Sequence, residues 1–463
     1  VAPRSTNDGD NQSLDALGYW WLPDHEDHKV PGRFTWDPEK GGDLDLLGEL
    51  IPLNLKDNVL ASGRVQKYRE RRTKLQNQFS VIHGVVRQQA YTLLNSFSLN
   101  GIDLSGLEES PEHVATNGVL VGAWYIDSDD VEADRAIVHM RHLTEWIDTD
   151  SLITRHPHLD GDPDGPYVTI TARQAPTFSA RFADTEIRVF NELEPTGDRH
   201  IHSGVNHSWR LAIAADEMSR LEKFTDIATD IRALVTIGTG KTADIEKVVL
   251  QHPNLARHNL AGQPIPKFRD DITYYSRWSH RSIDTEPVER REMYFNLAQL
   301  GGPDVITRWL LIAATYPTEL RRVMATRYTD TMYLEDRISN TCAALESFDE
   351  VRRTVQKGEA TFKERVRASV ANAGPPFASL IVGTLDEWLT SVVRARNDLA
   401  HHGAGFRLNA TAGEHLLAEQ LYWLFAMNLL REAEAGSGVF ERIADHRELQ
   451  WLVRQAREGR DAE

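Results

Sequence analysis

The spacing of apolar residues changes period partway along the chain, and that change limits the folds open to it. Through roughly the first 250 residues, apolar and polar positions tend to alternate in short runs punctuated by turns. Gly32-Arg-Phe-Thr-Trp36 and Asp43-Leu-Asp-Leu-Leu-Gly48 flank the loop Asp37-Pro-Glu-Lys-Gly-Gly42 and read as two strands. Residues 79–86, 90–94, 118–126 and 167–171 are rich in β-branched and aromatic side chains, which suit a pleated, half-buried surface. Helical patches are expected at 136–146 and 218–235. Beyond Glu289 a period near 3.6 takes over, in residues 304–315, 328–348, 362–370, 384–402 and 412–434, and predicts helices. Gly374-Pro-Pro376 and Gly403 are helix stops.

These periods predict an α+β multidomain chain, a β-rich N-terminal domain followed by an all-α helical bundle. Its 463 residues exceed what one core usually spans. We expect a β-rich domain over 12–252, a connector with packing helices over 253–325, and a helical domain over 326–457. Pro253, Pro264 and Pro266 motivate the connector, because proline breaks a long helix.

Cys342 is the single cysteine, so neither an internal disulfide nor a thiolate zinc cage can form. The first ten residues are polar, and the most apolar run, Leu421 to Leu430, contains Asn428 and is too short to span a bilayer. The expectation is a cytoplasmic protein with no membrane partner, that run being a core helix. A net charge of −17 argues against coating nucleic acid through a general basic surface. The charge is uneven, however. From residue 331 onward there are 16 basic and 20 acidic residues, so only −4 of it belongs to the helical part. That part retains room for a local basic cleft.

Several motifs carry less than they first suggest. Gly238-Thr-Gly-Lys-Thr242 looks like the tail of a phosphate-binding loop, but Val235 stands where the first glycine belongs. Asp160-Gly-Asp-Pro-Asp-Gly165 opens like a calcium loop, yet its twelfth position is Thr171; an acidic turn is the simpler account. Among the 18 histidines, His156/His158 and His200/His202/His207 cluster, and the eleven tryptophans include Trp20-Trp21. Such groups could hold a metal or a sugar, though chance clustering and core packing are the stronger readings.

Val393-Arg-Ala-Arg-Asn-Asp-Leu-Ala-His-His-Gly403 is the informative segment. It gathers Arg394, Arg396, Asn397, Asp398, His401 and His402 at the end of a helix. Arginine is a permanent forked cation suited to phosphate, and histidine exchanges a proton near neutrality. Together they can cleave RNA without a metal. The histidine moves a proton at the ribose 2′-hydroxyl or the leaving 5′-oxygen, while the guanidinium stabilises charge on the phosphorus. Residues five apart are turned by roughly 140° on a helix, so Arg396 and His401 do not share a face. Asn397 and His401 do, with Arg394 on the same stripe. The last turn is distorted, or the site needs groups from a second helix or chain.

The string resembles the Arg-x4–6-His motif of HEPN domains, helical ribonuclease modules of toxin and antiphage systems. Tyr333-Leu-Glu-Asp-Arg-Ile-Ser-Asn-Thr-Cys-Ala-Ala-Leu-Glu346, carrying Glu335 and Glu346, is similar to the first long helix of such a domain. Trp20/Trp21, Gly32 to Asp37, Leu44 to Gly48, Gly118 to Gly122 and Leu143 to Trp146 resemble the N-terminal domain of ApeA-type proteins. The resemblance implies a HEPN-like bundle at the C-terminus. It implies Arg396 and His401 as the catalytic pair and Asn397 as the polar residue beside the arginine. Arg394, Asp398, His402 and Glu346 would support catalysis or bind RNA, and either His401 or His402 satisfies the spacing.

The same resemblance implies a composite site between two paired bundles, hence a homodimer. It implies RNA cleavage in abortive antiphage defence, of host or phage RNA such as tRNA, with no metal and no cofactor. The N-terminal domain would sense a phage-derived trigger or restrain the nuclease. Two rival readings stand beside this one. The bundle could serve dimerisation alone under a ligand-sensing β domain, or the β domain could bind carbohydrate or metal.

Overall fold

A computed structural model of the chain describes residues 13–461 apart from 39, 52–54, 60–61, 64, 70–76, 100–110, 148–150, 160, 162–163, 199–200, 260, 278–285, 330–331, 355–357 and 401–411. In chain order the early strands are β1 (Leu14–Trp21), β2 (Val30–Asp37), β3 (Gly41–Leu46), β4 (Leu55–Val59), β5 (Val65–Arg69), β6 (Gln78–Val86), β7 (Gln89–Ser98), β8 (Glu112–Val121) and β9 (Glu132–Met140). Helix α1 (Leu143–Ile147) precedes β10 (Leu152–Arg155), β11 (Thr169–Ala172), β12 (Phe178–Phe182), β13 (Thr185–Asp198) and β14 (His202–Arg220). Then come α2 (Leu221–Thr239), β15 (Ile245–His258) and β16 (Pro264–Ser276). The helical part holds α3 (Leu297–Leu300), α4 (Asp304–Thr315), α5 (Pro317–Ala325), α6 (Leu334–Arg353), α7 (Phe362–Ala373), α8 (Pro375–Ala378), α9 (Leu385–Ala400), α10 (Ala412–Glu432), α11 (Ser437–Ala444) and α12 (Arg447–Asp461). The expected class, β-rich first and helical last, is the one observed.

The chain divides into two compact units that are not simple consecutive halves. The first comprises Val1–His139, Ala212–Asp226 and Asp244–Arg281; the second comprises Met140–Leu211, Ile227–Ala243 and Ser282–Glu463. In the first unit, β8, β3, β2, β1, β6 and β7 follow one another by antiparallel pairing, and β7 pairs back onto β8. This closes a six-stranded barrel, which removes the exposed edges an open sheet would carry. Alternation places Ala16, Trp20, Phe34, Trp36, Leu44, Leu46, Ile82, Leu93 and Val114 inside, and Tyr275 of β16 completes this core. Fully burying a large apolar side chain contributes about 1.5–3 kcal/mol, so the inward face drives closure. The Trp20 ring lies against Gly84, where a Cβ would fall 2.2 Å from a ring carbon.

Two expected segments fold differently. Residues 136–146 are not one helix. They finish strand β9, pass His142 at φ 62°, and form only the five-residue α1. Ala136 and Val138 are both buried, so a period of two wins over a short helical reading. The proline-rich stretch after 252 is not a connector but most of the β15–β16 hairpin. Pro264 opens β16, and Pro253 falls where the pairing register shifts between Gln251 and Ala256. Strand starts and bulges are where a strand tolerates a missing N–H.

In the second unit α10 is the central helix, packed against α6, α7 and α12. Every residue from Leu421 to Leu430 is buried, as expected for the apolar run. Its amide Asn428 is satisfied, as is Gln420 just before it, whereas the buried Trp423 indole N–H finds no partner among the described residues. Asn428 donates to the carbonyls of Ser369 and Leu424 and accepts from Asn372. Gln420 accepts from the Trp388 indole and donates to the Leu380 carbonyl. Burial pushes the Glu419 carboxyl up, but Arg327 and Arg337 outweigh it and hold it below the usual range. Helix α6 starts later than the sequence suggested and runs to Arg353, ending on Thr354 in the left-handed region at φ 53°. Among the described residues no helix is long and apolar enough to cross a membrane.

Candidate functional site

Helix α9 buries Trp388, Leu389 and Val392, an apolar stripe whose next member at helical spacing is Arg396. An arginine at the end of a buried stripe must find a partner or leave the core. Arg396 does both in part: its side chain is 41% exposed, and its Nη2 donates to Oε2 of Glu346 on α6 at 3.0 Å. The guanidinium also covers the Phe362 ring, 4.9 Å from its centroid. Phe362 is the first residue of α7, whose start is fixed by a capping box. There Thr361 accepts from the Glu364 backbone N–H while the Glu364 carboxylate accepts from that of Thr361. Three helices therefore converge on one guanidinium.

Cys342 lies one turn before Glu346 on α6. Burial pushes its thiol up to about 12, with Arg396 pulling the other way. It is a core residue beside the site and not a nucleophile.

Of the residues singled out in the sequence, the structure brings together Arg396 and Glu346. Arg394 and Asn397 are exposed on α9, on a different side from the buried stripe. Asp398 lies on α9, but its side chain is outside the described residues, as are His401 and His402 altogether. The ring beneath Arg396 was not foreseen. Phe362 stands 34 residues earlier, and only the packing of α7 on α9 joins them.

The basic cleft expected of the helical part is muted by pairing. Asp349, fully buried, accepts two hydrogen bonds from Arg353 at 2.7 and 2.5 Å, with Arg352 and the buried Arg365 close by. Arg367 pairs with Asp386, and Arg327 and Arg337 share Glu419. Arg337, Arg365 and Arg367 thus tie one helix to another, and Arg352 and Arg353 pair within α6, before any can serve a phosphate.

The weaker motifs fall as follows. Gly238 and Gly240 end helix α2, and the Gly238 carbonyl accepts from the backbone of Tyr294 and Phe295. A phosphate loop needs the opening of a helix, so this segment is a helix stop. Asp160, Asp162 and Pro163 of the calcium-like loop, and His200 of the second histidine cluster, lie outside the described residues. His158 stacks on Tyr167 at 4.2 Å with His156 at the edge. Burial lowers His207, which lies edge-on to Trp209. Trp20 and Trp21 are core residues of the barrel unit.

Comparison with curated proteins found no match, and neither did comparison with solved structures. One family model does match: ApeA N-terminal domain 1, over residues 15–309. It begins in β1, ends within α4, and stops short of α9. Because that match spans more than half of the chain, the protein belongs to the ApeA family, whose N-terminal domain marks it as an antiphage defence protein.

Proposed function

We propose that this ApeA-type protein defends against phage as a metal-independent endoribonuclease. In this reading residues 326–457 form a HEPN-like domain that pairs with a second copy and cuts host or phage RNA. The observation that carries it is the half-exposed Arg396, held by Glu346 and Phe362 at the head of the Arg-Asn-Asp-Leu-Ala-His-His string. Arg396 would anchor the scissile phosphate and His401 would move the proton at the 2′-hydroxyl or 5′-oxygen. Asn397, Arg394, Asp398 and His402 would contact the RNA or the paired bundle. The N-terminal region would answer a phage-derived trigger.

The test is RNA cleavage by the purified chain and in phage-infected cells. Removing a group that stabilises transition-state charge costs about 10²–10³-fold, so Arg396→Ala and His401→Ala should each lose at least that. Cleavage should persist in EDTA. A composite site further predicts that mixing Arg396→Ala chains with His401→Ala chains restores part of the activity. Variants that degrade RNA like the wild type would overturn the reading.

One observation favours a second reading, a non-catalytic dimerisation or binding module. The arginines of the helical part are largely committed to carboxylates. A wild-type protein that dimerises but never cuts RNA, with or without phage lysate, would establish it.

A further inference from the structure

Strand β3 reads Gly41-Gly-Asp-Leu-Asp-Leu46. Its period of two turns Leu44 and Leu46 into the barrel, where both are buried, and sets Asp43 and Asp45 together on the outer face. Antiparallel β8 places His113 directly opposite Asp45, the closest approach two side chains make across a sheet. One donor atom from each of Asp43, Asp45 and His113 lies within 4.8 Å of the other two. We propose that these three residues form a binding site for one divalent transition-metal ion, with zinc as the representative case.

The chemistry of the donors fits. Two carboxylates and an imidazole suit a borderline ion, with bonds of about 2.0–2.2 Å, which places donors around a tetrahedral centre about 3.3–3.5 Å apart. Drawing atoms now within 4.8 Å to that spacing takes side-chain rotation on two paired strands and no backbone rearrangement. His113 Nδ1 already touches Asp45 Oδ1, and a metal would enter in place of the proton between them. Three protein ligands leave a coordination position open to water.

The local charge favours a cation as well. Asp43 and Asp45 stand two residues apart on one face of β3, so two like charges lie close together there. The arginine opposite Asp45 on the other neighbouring strand is Arg33. It is turned toward β1, where its Nε and Nη2 donate to the two carboxylate oxygens of Asp15 at 2.8 and 2.6 Å. Arg33 thus reaches Asp45 through its charge alone, without a hydrogen bond, and the two carboxylates side by side on the barrel wall retain negative charge that one divalent ion neutralises. The site lies within the matched ApeA N-terminal domain and stands independently of the nuclease reading.

The experiment uses the full, tag-free chain stripped by chelator and dialysed. Calorimetric titration with ZnCl2 should show an equivalent that Asp43→Asn, Asp45→Asn and His113→Ala each lose, while weaker binding elsewhere stays unchanged. Asp43→Asn is the decisive variant, since it leaves the Asp45–His113 pair intact and removes only a ligand. Co2+ absorption in the visible range should report the same loss, and saturating Zn2+ should raise the melting temperature of the wild type more than that of the variants. Circular dichroism checks that these exposed substitutions leave the fold in place. A wild type that binds no more Zn2+ than Asp43→Asn, with the same affinity, would overturn the proposal.

Discussion

Arg396 of α9 and Glu346 of α6 face each other across 3.0 Å, and the same guanidinium lies over the Phe362 ring that begins α7. Both charged side chains are more than a third exposed, so solvent screens the pair and its share of stability is below about 1 kcal/mol. Its value is geometric: the carboxylate selects one arginine rotamer. Glu346→Gln should leave the melting temperature nearly unchanged and, under the proposed nuclease reading, lower RNA cleavage about tenfold through loss of positioning. A large stability loss with unchanged cleavage per folded molecule would make Glu346 purely structural.

Asp349 poses the opposite case. It is fully buried, with Arg353 on both oxygens and Arg365, itself 1% exposed, close by. Asp349→Ala removes both hydrogen bonds of the partly exposed Arg353 and leaves the buried Arg365 paired with Glu350, and should cost about 1.5–3 kcal/mol. The check is the midpoint of helix loss in urea, followed by far-ultraviolet circular dichroism. A shift comparable to that of an exposed pair, such as Arg367 with Asp386, would show that water reaches the cluster.

At Gly84 the barrel tests its own packing. An added Cβ would sit 2.2 Å from the Trp20 ring, so Gly84→Ala forces a buried tryptophan to move. Overpacking of this kind costs about 1–3 kcal/mol. Tryptophan fluorescence during denaturation should show an earlier transition in the barrel unit.

Burial lowers the His446 imidazole below its ordinary value, and the hydrogen bond to the Glu292 carbonyl partly restores it. Since that carbonyl only accepts, Nε2 carries the proton, and the ring lies 3.9 Å from Tyr294. The unfolded chain therefore takes up a proton more readily than the folded one. Stability is whole above about pH 6.5 and falls as pH drops from there through the lowered folded value. His207 shifts the same way. His446→Gln should reduce the slope of melting temperature against pH between about 6.5 and 5; an unchanged slope would assign it to other groups.

The class of fold and most of its long elements were legible because period alone encodes them. Phe79 to Val86 and Asp304 to Thr315 appear as the strand and helix their spacing implies. What escaped depends on pairing over distance. Pro253 and Pro264 look like chain breaks until β15 is seen to shift register around one and β16 to start at the other. Asp43 and Asp45 are an ordinary alternation until β8 brings His113 alongside from 68 residues away. Glu346 could be suspected from its helix, but its 3.0 Å contact with Arg396 and the ring of Phe362 needed three packed helices. Sequence records which face a residue takes more directly than which face it meets.

Tyr275 belongs to the same core as Trp20, Phe34 and Leu93, and between them the chain contributes Met140–Leu211 to the other unit. That ordering has a consequence during synthesis. The barrel core lacks a member until residue 275 has left the ribosome, so its early strands wait while two segments of the second unit, Met140–Leu211 and Ile227–Ala243, emerge. Helix α9, with Arg396, is translated more than a hundred residues later still. On a growing chain, the family's characteristic domain can be complete before the segment proposed to cut RNA exists.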